Sequence, residues 1–124
     1  MKFLIIDDDQ LSIFLTKTML MLADAKIEIK SFLCSIEALK SLQFCTEENL
    51  PDVILLDLNM PLMDGWELLD ELKAFEAKLK NKCRIHILTS SLDMADIAKT
   101  DNYSLVNSLI HKPIKDQDIK MILG

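Results

Sequence analysis

The hydrophobic residues of this chain form five short runs, each followed by a segment with helical periodicity. The runs lie at residues 2–6, 27–32, 53–57, 84–88 and 104–110 and have the length and composition of β-strands. The third run is continuously apolar, which predicts a central strand buried on both faces. The second run alternates apolar with polar residues, so we expect that strand nearer the edge of the sheet.

The segments between these runs predict five helices. Asp9 can cap the first helix, at residues 10–23, because the apolar residues that follow recur at steps of three and four. The other helices are predicted from Ser35, over 66–79, from Asp93 to about Lys99, and over 115–123. The residues expected to face the core are Leu11, Phe14, Leu15, Thr18, Met19 and Leu22, then Ala38, Leu39 and Leu42, then Leu68, Leu69, Leu72 and Phe75.

Alternation of strands and helices predicts parallel strands joined by right-handed crossovers, with helices on both faces of the sheet. The fold class is therefore a doubly wound α/β domain that covers residues 1–124. No repeat, linker or low-complexity segment interrupts the pattern. Because the sequence ends just after the fifth helix, we expect the domain to act without a fused output domain.

Composition narrows the class of protein further. A chain of 124 residues with 50% hydrophobic content has the size of one compact domain. Its formal net charge of -6 argues against broad electrostatic binding to nucleic acid or to an anionic membrane. Cys34, Cys45 and Cys83 are scattered and form no CxxC pair, which fits reduced thiols in the cytoplasm. The sequence has neither a signal-peptide pattern nor an apolar run of the roughly 20 residues that cross a bilayer.

Polar side chains stand where the predicted strands end. Asp7 and Asp8 follow the first strand, Asp57 ends the third, Thr89 follows the fourth, and Lys112 follows the fifth. Ligands of doubly wound sheets bind beyond the carboxyl ends of the strands, so we expect these residues to converge there. Carboxylates that share a site repel one another unless a cation is present, and hard oxygen ligands suit Mg2+. Phosphoryl transfer to a carboxylate also needs neutralisation of the charge on the phosphoryl oxygens. The metal, a lysine ammonium group and a hydroxyl or backbone amide donor could supply it, and Lys112 and Thr89 fit the last two roles.

Four motifs, in this order, resemble the receiver domain of bacterial response regulators, the single-domain chemotaxis type included. They are FLIIDDD at residues 3–9, VILLDLNMP at 53–61 with Asp64-Gly65, then Thr89-Ser90, and Lys112-Pro113. The resemblance covers nearly the whole chain. It implies a flavodoxin-like fold with five parallel strands in the order 2-1-3-4-5.

The resemblance also implies a role for each motif. Asp57 would be the phosphoacceptor, and Asp8 and Asp57 would bind Mg2+ through their side chains. Asp7 would support the metal chiefly through a water molecule, and Asn59 would offer its backbone carbonyl. Thr89 and Lys112 would contact the phosphoryl group. The Lys112-Pro113 bond is expected to be cis, an arrangement accessible mainly to X-Pro bonds.

The function implied is acceptance of a phosphoryl group from a phosphohistidine of a sensor histidine kinase or phosphotransfer protein. The domain would catalyse both transfer and loss, with a lifetime that depends on Asn59 and Ser91, and would not be an enzyme that acts on a separate substrate. A downstream protein would bind the fourth helix, fifth strand and fifth helix. Members of the family usually carry an aromatic switch residue three positions before the lysine. Leu109 stands there in this chain, so the signal is expected to travel differently.

Other interpretations of the same residues remain open. Asp9 is explained by helix capping, Asp64-Gly65 by loop and helix-start architecture, and Trp66 by packing. His86 and His111 lack a second ligand at metal-binding spacing, and such residues are more often structural than chemical, so we assign them no role. A pseudo-receiver that binds a partner without phosphorylation is the main alternative. An aspartyl phosphatase would need an acid at the position of Asn59, and a nucleotide- or flavin-binding domain would need a glycine-rich loop.

Overall fold

Five parallel strands form one sheet in the order β2-β1-β3-β4-β5 in the computed structural model, which describes residues 1–90 and 93–124. The order confirms the flavodoxin-like α/β fold and places the third strand at the centre of the sheet and the second at its edge. The strands are β1 Lys2–Ile6, β2 Glu28–Phe32, β3 Val53–Leu56, β4 Arg84–Thr89 and β5 Val106–His111.

Six α-helices connect and cover the described strands. They are α1 Gln10–Ala23, α2 Ser35–Phe44, α3 Gly65–Leu72, α4 Glu76–Lys80, α5 Met94–Lys99 and α6 Asp116–Leu123. Asp9 and Asp93 cap α1 and α5 through their side chains, as the sequence predicts. In the described part of the chain, no helix is both long enough and apolar enough to cross a membrane.

The single helix predicted over residues 66–79 is wrong. The structure instead has α3, a 3-10 turn at Lys73–Phe75, and α4. Phe75 has φ -128° and ψ 37°, far from helical dihedral angles, so the chain changes direction before α4 begins. The apolar spacing continues across this break, and the sequence pattern therefore could not reveal it.

Two apolar layers form the core, one on each face of the sheet. Successive side chains of a strand point to opposite faces, so β1 supplies Leu4 and Ile6 to one layer and Phe3 and Ile5 to the other. The predicted inward residues of α2 and α3 are confirmed, except that Phe75 is only partly buried. Nearly continuous burial of β1 and β3 keeps the central strands rigid.

The predicted inward face of α1 is wrong. The helix buries Ile13, Thr16 and Leu20 instead, and of the predicted stripe Met19 packs against the core. Apolar residues surround most of this helix, so a spacing of three and four fits two different faces. The predicted core residues that are more than half exposed are Leu11, Phe14, Leu15 and Leu22.

His86 is a buried polar residue in β4, with 5% of its surface exposed. Its Nδ1 lies 2.6 Å from Ser108 Oγ on the neighbouring strand β5, while Nε2 has no hydrogen-bond partner among the described residues. Burial, and secondarily the charge of Arg84, lowers the pKa of His86 below its ordinary 6.5. The folded domain therefore holds this imidazole neutral.

This lowered pKa predicts a loss of stability in mild acid. Below pH 6.5 the unfolded chain binds a proton at His86 that the folded chain does not, so the free energy of unfolding falls by up to about 1.4 kcal/mol per pH unit until the folded pKa is reached. His86→Asn keeps a polar group near Ser108 without this titration. Urea unfolding of both proteins at a series of pH values is the measurement, and parallel stability curves would contradict the prediction.

Candidate functional site

The pairing of β1 with β3 brings two aspartates side by side. Asp7 follows β1 and Asp57 follows β3, and the strands run parallel in register, with Ile6 opposite Leu56. The Asp57 N–H donates to the Ile6 carbonyl at 2.9 Å, which extends the pairing one residue beyond the strand. Both carboxylates therefore emerge at the carboxyl edge of the sheet, where the sequence predicts the site.

Asp8 joins these two residues in a cluster. One carboxylate oxygen from each of Asp7, Asp8 and Asp57 lies within 4.8 Å of the others. Asp8 is exposed, but Asp7 is only 3% exposed and Asp57 only 7%. Like charges at this separation and burial disfavour one another, so the site attracts cations.

Lys112 supplies one positive charge to the cluster. Its Nζ lies 2.7 Å from Asp7 Oδ2 and 3.3 Å from Asp57 Oδ2, and its backbone N–H donates to the Thr89 carbonyl at 2.9 Å. The Lys112-Pro113 bond is cis, as expected. Burial acts to lower the pKa of Lys112, but its hydrogen bond to Asp7 and the charges of Asp57 and Asp7 outweigh that effect and raise it. Lys112 thus carries its full charge at the site.

The pKa of Asp57 is set by a different balance of burial and neighbouring charges. Burial raises the pKa of its carboxyl group, and the neighbouring charge of Asp7 raises it too. Lys112 and a hydrogen bond from Thr89 lower this pKa without cancelling the rise. Thr89 is fully buried at the end of β4, and its side chain hydrogen-bonds to Asp57. The balance of these effects leaves the pKa of the Asp57 carboxyl group above its ordinary value.

The start of α3 packs directly on the Asp57 backbone. Asp64 caps the helix in a reciprocal capping box with Glu67, and the Gly65 N–H donates to the Leu58 carbonyl at 2.9 Å. A Cβ on Gly65 would lie 2.6 Å from the Asp57 carbonyl oxygen and 2.9 Å from Leu58 Cα. The sequence assigned Asp64-Gly65 to helix-start architecture, which is confirmed, but missed this close approach. An Asp-Gly pair soon after Asp57 was the signal that could have revealed it.

The remaining candidates are placed as follows. The Asn59 N–H lies 3.4 Å from Asp57 Oδ1, so this residue does border the cluster. The Asp9 side chain accepts from the Leu11 N–H at 2.9 Å, so its carboxylate is engaged in capping α1. Leu109 is partly buried and packs against the core layer that contains α3. Ser91 lies outside the described residues.

Comparisons with known proteins agree with this geometry. The family model described as the response regulator receiver domain matches residues 3–123 of this chain. A two-component response regulator from Cytophaga hutchinsonii is 31% identical, with a TM-score of 0.90 over 98% of this chain and 92% of that chain. A phosphorylated cyanobacterial phytochrome response regulator is 30% identical, with a TM-score of 0.78 over 98% of this chain and 87% of that chain.

A third similar structure is a CheY-like receiver domain protein from Methanospirillum hungatei. It is 28% identical, with a TM-score of 0.69 over 97% of this chain and 88% of that chain. No curated protein matches the chain in sequence. The matched residues include each of the strand-end positions that form the cluster.

The close approach at Gly65 predicts that Gly65→Ala is destabilising. The added methyl group would overlap backbone atoms of Asp57 and Leu58, so α3 would have to shift, at a cost of about 1–3 kcal/mol. Glu71→Ala is the control, since it places an alanine at an exposed position of the same helix. Urea unfolding measures both variants, and equal stability of Gly65→Ala and the parent would refute the packing argument.

Proposed function

We propose a function for this chain from its family, since it belongs to the response regulator receiver domains of two-component signalling. Asp57 accepts a phosphoryl group, and the phosphorylated domain signals through a change in its surface. The observation that carries this proposal is the convergence of Asp57 with Asp7, Asp8 and Lys112 at one edge of the sheet. The similar cyanobacterial regulator is a phosphorylated protein, which supports the same chemistry here.

The donor is a phosphohistidine of a sensor histidine kinase or of a phosphotransfer protein. An Asp57 carboxylate oxygen forms the new bond to phosphorus as the phosphorus–nitrogen bond breaks, and the electron pair returns to the imidazole. The charge of Lys112 counteracts burial and favours the ionised carboxylate, which is the nucleophile. Lys112 and the Thr89 hydroxyl then stabilise the phosphoryl oxygens. The domain itself catalyses both transfer and loss, so it is a phosphoacceptor rather than an enzyme with a separate substrate.

The donor set of the cluster fits Mg2+. Asp8 and Asp57 would hold the ion through their carboxylates, Asp7 through a water molecule, and Asn59 through its backbone carbonyl. Three carboxylates within 4.8 Å provide the hard oxygen ligands that this cation prefers. When bound, Mg2+ neutralises the cluster and the charge of the transferring phosphoryl group.

The exposed side of α1 suits the docking of the phosphodonor. Leu11, Phe14 and Leu15 are more than half exposed there, close to the acidic cluster in sequence. Leu11 and Leu15 line a groove of about 320 Å³, whose lining also includes Lys112 and Pro113. Exposed apolar surface of this kind is typical of contact with another protein. The free thiols of the chain agree with a partner in the cytoplasm.

The downstream protein binds another surface, formed by α5, β5 and α6. These elements are the fourth helix, fifth strand and fifth helix of the sequence prediction. Exposed Met94 and Ile97 on α5 and Met121 on α6 provide apolar contacts for a downstream protein. Thr89 precedes α5 in the chain, so a movement of its hydroxyl toward the phosphoryl group would carry the start of α5 with it. Because Leu109 is not aromatic, this movement does not use an aromatic side chain at that position.

The proposal predicts phosphorylation at Asp57. After incubation with acetyl phosphate and Mg2+, intact-protein mass spectrometry should show the mass gain of one phosphoryl group, absent from Asp57→Asn and from a sample with Mg2+ chelated. A phosphohistidine-bearing protein donor provides a second test of the wild-type chain. No gain with either donor would reject the phosphoacceptor function in favour of a pseudo-receiver that binds partners without phosphorylation.

A second prediction concerns Mg2+ itself. The ion should raise the melting temperature of the wild-type protein, since a ligand at a hundredfold its Kd stabilises by about 2.7 kcal/mol. Asp8→Asn should lose most of this increase, while the metal-free variant melts slightly higher because one repulsive charge is gone.

The matched control is Asp9→Asn. It removes the same charge from the neighbouring residue, and asparagine caps a helix as well as aspartate does. Its melting temperature should still rise with Mg2+. Equal Mg2+ responses of Asp8→Asn and wild type would show that Asp8 is not a ligand.

A further inference from the structure

The helix α5 buries none of its side chains. Met94 is 85% exposed. Asp96 is half-buried, and the other residues of this helix are exposed. In contrast, α3 buries five of its eight residues. Short helices owe most of their stability to packing of an apolar face, and α5 has no such face against the core. Its position therefore depends on a few specific contacts.

Those contacts converge on one indole. Trp66, at the start of α3 and only 9% exposed, donates from Nε1 to Asp96 Oδ1 at 3.3 Å. The Lys99 ammonium lies 4.9 Å from the centre of the indole ring, within the range of a cation–π interaction. Both of these contacts between α5 and Trp66 come from charged side chains of the helix.

The chain after α5 is held by the same helix. Tyr103 packs against Trp66 with ring centroids 5.2 Å apart, and its hydroxyl donates to Asp70 Oδ1 of α3 at 2.8 Å. The Lys73 ammonium lies 4.4 Å from the centre of the Tyr103 ring. Tyr103 is buried, so this end of the segment is firmly attached. The attachment of α5 to Trp66 is weaker, because among the described residues it consists of one hydrogen bond and one contact with an exposed cation.

Two structural connections link the acidic cluster to α5. The first is rigid, because the Gly65 N–H donates to the Leu58 carbonyl and the first turn of α3 packs on the Asp57 backbone. The second runs through Thr89, which hydrogen-bonds to Asp57 and stands four residues before the α5 cap, Asp93. A change at Asp57 that moves Thr89 but not α3 would pull α5 away from Trp66.

We propose that Trp66 is a latch that holds α5 in its resting position through Asp96 and Lys99 and releases it when Asp57 is phosphorylated. The inference rests on the proposed function, because phosphorylation supplies the pull on Thr89. It needs no aromatic residue at position 109. The latch contacts are one hydrogen bond, long at 3.3 Å, and one cation–π contact from an exposed lysine. They are weak enough to be exchanged for a new bond between Thr89 and the phosphoryl group.

The first test uses the unphosphorylated protein. Asp96→Ala removes the acceptor, so amide hydrogen exchange in α5 should become roughly fivefold faster, the factor expected for loss of one modest hydrogen bond. Asp96→Asn keeps an acceptor oxygen and should exchange nearly as the wild type does. Asp101→Ala removes an exposed carboxylate from the turn after α5 and controls for charge.

Exchange in α1 serves as the internal reference, since general destabilisation would accelerate both helices. Faster exchange confined to α5 in Asp96→Ala supports the latch. Unchanged exchange in α5 overturns it.

The second test adds acetyl phosphate and Mg2+ and follows the phosphoryl mass gain together with two readouts. Trp66 is the only tryptophan, so a red shift of its fluorescence emission reports that α5 has moved away and exposed the indole to water. Amide hydrogen exchange in α5 of the phosphorylated wild type should approach the exchange seen in Asp96→Ala. The emission of Asp96→Ala should change less on phosphorylation than that of the wild type.

A full mass gain with unchanged emission and unchanged exchange would overturn the latch and leave the phosphoacceptor function intact. Absence of any mass gain would reject the proposed function, and with it the regulatory role of Trp66, whatever α5 does in the free protein.

Discussion

Three carboxylates within 4.8 Å repel one another, and much of the structure is arranged to hold them together. Among the described residues, Lys112 forms ion pairs with Asp7 and Asp57, yet burial still raises the pKa of Asp57. A neutral cluster of similar size would suit the fold better, because buried charges rarely repay their loss of solvation. The arrangement suits the proposed phosphoryl transfer, which would use a concentrated negative charge that binds a cation.

The sheet supplies the rigidity that such a cluster needs. Three site residues are fixed by a backbone hydrogen bond just beyond a strand: Asp57 to Ile6, Asp7 to Phe32, and Lys112 to Thr89. These bonds depend on the strand order, since β1 must lie between β2 and β3, and β4 beside β5. The carboxylates cannot separate to relieve their repulsion without breaking the pairing of strands. Any ligand that reduces this repulsion therefore stabilises the folded domain.

The sequence predicted the strand ends well because a continuous apolar run that stops abruptly at a carboxylate is typical of a buried strand that ends at a polar site. It placed Asp7, Asp57 and Lys112 at one edge from parallel topology alone. It failed where a local pattern permits two answers, as on α1, where Ile13 and Leu20 face inward instead of the neighbouring apolar stripe. Contacts away from the strand ends left no pattern in the sequence. The bond from Trp66 to Asp96 spans 30 positions, and the glycine requirement at residue 65 depends on a backbone from another element.

The contrast between the rigid edge and α5 gives the direction in which a signal can travel. A phosphoryl group brings about -1.5 to -2 charges to a site where Lys112 is already shared between two aspartates. Thr89 is the next hydroxyl within reach, and it stands at the end of β4, whose other residues are almost all buried. A close-packed core does not deform easily, so the displacement cannot pass into the sheet. Under the proposed function, the displacement would therefore pass along the chain to α5, which has no buried side chain to resist it.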